Sequence, residues 1–169
     1  MWKELDAVVD QPYTWVKWCN PVEVVRYNPE TKLTEQIYHG GDEKILPINF
    51  DFRGGSQVIP YKDGQRFAIT HITNLYKSET GRKNCTYRHR FIVFDDDWNV
   101  VRYSNEFDFI DGVIEFSCGM CLHEGKYMIP FGYQDNTSFL LKIPQEYLYK
   151  WIEENSDYVK EDWLWHTQN

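Results

Sequence analysis

Apolar residues come along this chain in short runs, each closed by Asp, Asn, Gly or Pro, and that rhythm predicts strands and tight turns. Tyr13–Trp18 alternates as a strand, and Val22–Tyr27 and Leu33–Tyr38 follow it as a meander. Pro21 and the turn Asn28-Pro29-Glu30-Thr31-Lys32 separate the three, because Asn-Pro opens turns and proline presets its own φ. Leu46–Phe52 leads into Arg53-Gly54-Gly55-Ser56 and then into Gln57–Tyr61. Further strands are predicted over Arg66–Ile72, Tyr87–Phe94, Val100–Ser104, Val113–Cys118, Lys126–Phe131 and Ser138–Ile143. One stretch breaks the rhythm. Pro144–Tyr158 places Tyr147, Leu148, Trp151 and Ile152 at three- and four-residue steps behind a proline, which predicts a helix.

Three regions result: an arm over residues 1–12, a β-rich body over 13–143, and a helix with an aromatic tail carrying Trp163 and Trp165 over 144–169. Many short antiparallel strands with close turns point to a sandwich, barrel or propeller. The Gly-Gly-Ser-Gln-Val-Ile-Pro stretch and the Cys118-Gly119-Met120-Cys121 stretch each precede a turn and a strand, which reads as a coarse repeat.

The chain of 169 residues is long enough for one domain with a substantial core. Its formal charge of −8, with no compensating basic patch, argues against nucleic acid and anionic membrane as partners. No apolar run reaches membrane-spanning length and the start does not read as a secretion signal, so the expected location is cytoplasmic. Its four cysteines, Cys19, Cys85, Cys118 and Cys121, are then expected as thiols.

Arg53-Gly54-Gly55-Ser56, His71, Tyr87-Arg88-His89-Arg90-Phe91, Ile114-Glu115-Phe116-Ser117-Cys118-Gly119-Met120 and Phe131-Gly132-Tyr133-Gln134-Asp135 occur in an order that resembles a known group. They resemble motifs of five-bladed β-propeller domains akin to glycoside hydrolase families forty-three and one hundred and thirty, including propellers that accompany glycosyltransferases. Ser56 stands where threonine is usual, and Ile72 follows His71 where an acid is usual. A full domain of that kind is nearly twice as long, and the segment without a counterpart here carries a key carboxylate. The resemblance therefore implies an all-β fold, a partial propeller of about three blades with a short C-terminal helix. It also implies a non-catalytic glycan-binding or assembly role, with a glycosidase- or phosphorylase-like enzyme as the alternative. A second copy completing the ring would make a homodimer.

On that reading Arg53, His71, His89, Arg90 and Glu115 line a saccharide pocket, and Glu115 with Asp135 is the catalytic pair if there is chemistry. Such a pair works at about 5–5.5 Å for retention or about 6.5–9.5 Å for inversion. Trp15, Trp18 and Trp98 could stack on sugars or fill the core. Cys118 and Cys121 admit a zinc reading with Cys85 and His123, or a redox pair. Residues three apart in a strand point to opposite faces, so they converge only if Gly119-Met120 turns. No metal and no cofactor are expected.

Overall fold

A computed structural model describes residues 13–41, 45–46, 48–81 and 83–159. The arm over residues 1–12 and the tail tryptophans Trp163 and Trp165 lie outside the described residues. The meander forms as β1 (Thr14–Cys19), β2 (Val22–Asn28) and β3 (Leu33–His39), paired in that order. The centre is a hairpin of two twelve-residue strands, β6 (Arg66–Lys77) and β7 (Lys83–Phe94), antiparallel in register from Arg66 opposite Phe94 to Lys77 opposite Lys83. Two short strands, β4 (Arg53–Gly54) and β5 (Ile59–Pro60), share one side of β6. Across β7 lie β8 (Val100–Ser104) and then β13 (Ser156–Tyr158), making six strands. A third sheet holds β11 (Lys126–Tyr133) between β12 (Thr137–Pro144) and, on its other side, the short β9 (Glu115–Ser117) and β10 (Cys121–His123).

Period-two alternation in β6 and β7 gives the six-stranded sheet an apolar cluster on each face. Phe67, Ile69, Phe91 and Val93 pack with Met120, Tyr127 and Ile129 of the third sheet and with Leu148 and Ile152. Ala68, Ile92, Phe94 and Tyr103 pack with Val22 and Val24 of β2 and with Leu46, Phe50 and Phe52. A strand buried on both faces reads as a continuous apolar run, which is what Phe91-Ile92-Val93-Phe94 is.

The helix, α1 (Gln145–Glu154), is shorter than its apolar spacing suggests. The Asn155 amide nitrogen donates to the Trp151 carbonyl at 2.9 Å, and the chain then turns to pair Ser156–Tyr158 with β8. Arg102 fixes that return, donating to the Ser156 hydroxyl at 2.9 Å with its guanidinium 3.7 Å over the Tyr158 ring. Tertiary pairing overrides helical propensity there.

The all-β expectation holds at the level of several small open sheets with one short helix among the described residues, but the propeller does not form. The sheets are open, neither curled nor closed, and have three, four and six strands. The six-stranded sheet gathers strands from Arg53 to Tyr158, across what the sequence divides into separate blades and a helical tail. Strand-and-turn rhythm fixes hairpins, whereas the grouping of hairpins into sheets depends on long-range burial. With no ring, the argument for a second copy that completes one also lapses.

Candidate functional site

At one end of the cluster between the six-stranded and third sheets, apolar side chains give way to polar ones. A single rung crosses the sheet there: Arg53 opposite His71, His71 opposite His89, and His89 bridged to Phe107 by backbone hydrogen bonds of 3.0 and 2.9 Å. The rings of His71 and His89 sit 6.5 Å apart, His71 against Tyr87 and Phe116, His89 against Phe107 and Phe109. His89 is fully buried and His71 nearly so. His71 Nδ1, both His89 ring nitrogens and the Ser117 hydroxyl have no hydrogen-bond partner.

Burial disfavours the imidazolium, and it is the main reason His89 is pushed down to about 4; the neighbouring His71 adds to this and the Phe107 backbone opposes it in part. His71 is lowered too, first by burial and then by the Arg53 charge. Both rings are therefore neutral at pH 7.

Glu115 is also fully buried, and its carboxylate is committed to the backbone. It accepts N–H bonds from Phe109 at 2.5 Å, Ile110 at 3.1 Å and Gly112 at 2.5 Å, clamping the loop that leads into β9. Gly112 is required: a Cβ there would lie 2.4 Å from the Tyr133 ring and 2.8 Å from Glu115 Oε1. Asp135 sits apart, exposed at the hairpin tip between β11 and β12, where it and Gln134 take positive φ. Arg90 is held on the opposite face from His89, donating to the Ser104 carbonyl at 2.6 Å and to Glu106 at 3.1 Å, with Phe50 and Tyr103 beneath it. The structure thus brings His71, His89 and Arg53 onto one rung, while Glu115 serves a loop and Arg90 and Asp135 lie elsewhere.

Of these residues Arg53 alone lines an open cleft of about 760 Å³ beside β1. Asn20 builds it, accepting from the Leu46 N–H at 2.7 Å and donating to the Leu46 carbonyl at 3.4 Å, so that the chain beyond Leu46 runs beside the meander. Phe50 and Phe52 anchor that segment in the core. Lys17, Trp18, Asn49 and Asp51 complete the polar and aromatic lining. Asp51 orients the Arg53 guanidinium through Nε at 3.0 Å and Nη2 at 2.8 Å. Trp18 is 50% exposed, so its ring is available to a ligand rather than spent in the core. Lys17, Asn20 and Asn49 give no sign of a site in the sequence, because the Asn20–Leu46 bond that gathers them spans 26 positions.

Among the described residues no group of three His, Cys, Asp or Glu side chains could hold a metal ion, so the zinc reading has no ligand set. No helix among them is long and apolar enough to cross a membrane. Nothing in this geometry supports glycan binding or glycoside chemistry. Comparison with known protein families, with characterised proteins and with solved structures gives no match, and the carbohydrate role implied by the sequence motifs is set aside.

Proposed function

We propose that this chain is a binding module for a small anionic ligand with a flat ring, held in the cleft between β1 and the segment leading to β4. One observation carries the reading: the lining holds two cations in place, Arg53 through Asp51 at 2.8 Å and Lys17 through Glu23 at 2.9 Å, beside a half-exposed indole. A guanidinium already oriented by Asp51 loses less freedom when it meets a carboxylate or phosphate. Trp18 supplies the flat apolar surface for a ring. Chemistry is not part of the reading, since Glu115 has three of its lone pairs occupied by backbone N–H groups.

The test is calorimetry and tryptophan fluorescence with benzoate and a nucleoside monophosphate, each against its neutral counterpart, benzamide and the nucleoside. At least one anion is expected to bind more tightly than its neutral partner. Arg53→Ala should weaken it by about 1.5–3 kcal/mol, the usual size of a hydrogen bond to a charged group. Equal binding of anions and neutral compounds, or no binding at millimolar concentration, would overturn the reading.

A further inference from the structure

The outer strands of the three sheets differ in regularity. β1 and β3 each carry an extra residue: Lys17 falls between Val16 opposite Val24 and Trp18 opposite Glu23, and Ile37 falls between Gln36 opposite Val25 and Tyr38 opposite Val24. β13 has three residues. β4 with β5, and β9 with β10, are edges divided in two. Bulges, short strands and breaks all make an edge a poor template for a further strand. β12 has none of them. It pairs with β11 over eight residues, from Thr137 opposite Tyr133 to Pro144 opposite Lys126, without a shift of register. Thr137–Leu140 and Lys142 are exposed.

The hydrogen bonds of β11 show which groups of β12 point outward. The Pro130 carbonyl accepts from the Cys118 N–H, and the Gln134 N–H donates to the Ile114 carbonyl, so even-numbered positions there turn their peptide groups away from β12. Tyr127, Ile129, Phe131 and Tyr133 then bond across to Ile143, Leu141, Phe139 and Thr137. The N–H and C=O groups of Ser138, Leu140 and Lys142 therefore point away from β11, along the plane of the sheet. Side chains alternate between the two faces of the same strand. Leu141 and Ile143 pack toward the core, and Phe139 stacks on Phe131. Leu140, half exposed, lies on the outer face with Lys142, and Lys126 of β11 is the diagonal neighbour of Lys142 on that face.

We propose that the β12 edge docks an extended peptide segment of a protein partner, added as a further strand, with a carboxylate side chain set against Lys142. The peptide groups of Ser138, Leu140 and Lys142 supply the ladder, while Phe139 on one face and Leu140 on the other receive alternate apolar side chains of the segment. Charge selects such a segment over a second copy of this chain. Thr137–Pro144 contains no Asp or Glu, so no register of β12 against its own copy sets a strand carboxylate opposite Lys142. An acidic segment does so, and cross-strand pairs of opposite charge are favourable. The edge is independent of the anion cleft, which lies beside β1.

Random peptides displayed on phage are selected against the full chain, and enriched sequences are remade as synthetic peptides for titration by nuclear magnetic resonance. Peptides with alternating apolar residues and at least one Asp or Glu are expected, and their binding should slow hydrogen exchange at the Ser138, Leu140 and Lys142 amides. Leu140→Pro removes an outward N–H without touching the ladder to β11, and should weaken binding at least about tenfold. Lys142→Glu leaves every peptide group in place and should turn the selection toward basic peptides, a result that does not depend on the proline variant folding. No enrichment, acidic peptides that bind Lys142→Glu as well as the unsubstituted chain, or protection that maps elsewhere would overturn the proposal. So would slow exchange at the three amides before any peptide is added, which means that the chain itself covers the edge or, where the protection rises with protein concentration, that a second copy does.

Discussion

Acidification should destabilise this fold through His89 before most carboxylates titrate. His89 is fully buried, flanked by Phe107 and Phe109, and neither ring nitrogen has a hydrogen-bond partner. The charged groups around it give an imidazolium no support: His71 faces it from β6, and Arg88, its neighbour on β7, is paired 2.8 Å from Asp108. Its pKa is lowered from 6.5 to about 4, chiefly by burial. A depressed histidine pKa means that the folded state prefers the neutral ring, so the stability is complete above pH 6.5 and is lost as pH falls toward 4. At pH 5 the unfolded ring is almost wholly protonated and the folded one about a tenth so, a difference of about 2 kcal/mol, rising to about 3 kcal/mol at pH 4. His71 is shifted in the same direction and steepens the slope. The assay is urea denaturation from pH 7.5 to 4.5 on the native chain and on His89→Phe, which keeps a ring in the aromatic layer but cannot titrate. Carboxylates common to both chains cancel in the difference. The stability of the native chain relative to the variant should be flat above pH 7 and fall by about 2 kcal/mol by pH 5. Parallel pH profiles, or a His89 ring that titrates near 6.5 by nuclear magnetic resonance, would refute the reasoning.

Two further outcomes follow from buried polar contacts. Glu115→Gln keeps the shape of the clamp but turns an amide donor toward the N–H groups of Phe109, Ile110 and Gly112, and should cost about 3 kcal/mol in urea denaturation, the scale of a lost charged hydrogen bond with an unpaired donor; a change under about 0.5 kcal/mol would show that the loop is not held this way. Gln57→Ala leaves the Met120 N–H and carbonyl without their partner and should cost about 1–3 kcal/mol, with faster hydrogen exchange at the Met120 amide as the local readout. Unchanged exchange there would remove the bridge from the account.

Local structure was legible because it depends on local chemistry. Val22–Tyr27, Leu33–Tyr38 and Val100–Ser104 each alternate or end in turn residues, and each is a strand within a residue or so of its expected limits. Arg66–Ile72 and Tyr87–Phe94 were readable as strands but not in their full length, because Thr73–Lys77 and Lys83–Thr86 pair only with each other, beyond the core. Val113–Cys118 was readable as a strand, yet regular pairing covers Glu115–Ser117, with Val113, Ile114 and Cys118 joined to their neighbours by one backbone bond each. What the sequence could not convey is assembly. That β13 returns to β8, and that Asn20 draws Leu46 to the meander, are contacts across 52 and 26 positions. The same holds for the site: His71 and His89 were suspect from their setting and do share a rung, whereas Trp18 and Lys17 meet Arg53 only because the segment between Leu46 and Phe52 folds back on β1.

The coarse repeat between Gly-Gly-Ser-Gln-Val-Ile-Pro and Cys-Gly-Met-Cys has a physical meaning even without blades. Each stretch is an edge strand broken in the middle, β4 and β5 against β6 on one sheet, β9 and β10 against β11 on another. In the first, Gly54 stays opposite Thr70 and pairing resumes with Ile59 opposite Phe67, so the chain gains two residues; in the second it gains one. A broken edge is a poor template for another strand, which protects an open sheet from edge-to-edge pairing. It also frees peptide groups that must find partners when buried. Here the two breaks supply each other. Gln57, displaced by the first, accepts from and donates to the Met120 peptide displaced by the second, as a neighbouring strand would. The hydroxyl of Ser56 accepts from the Ile69 N–H at 2.8 Å, replacing a ladder bond that the first break removes. Met120 in turn sends its side chain into the cluster between the sheets. The joint is thus made from the irregularities of both edges, and the exposed thiols flanking Met120 sit on it.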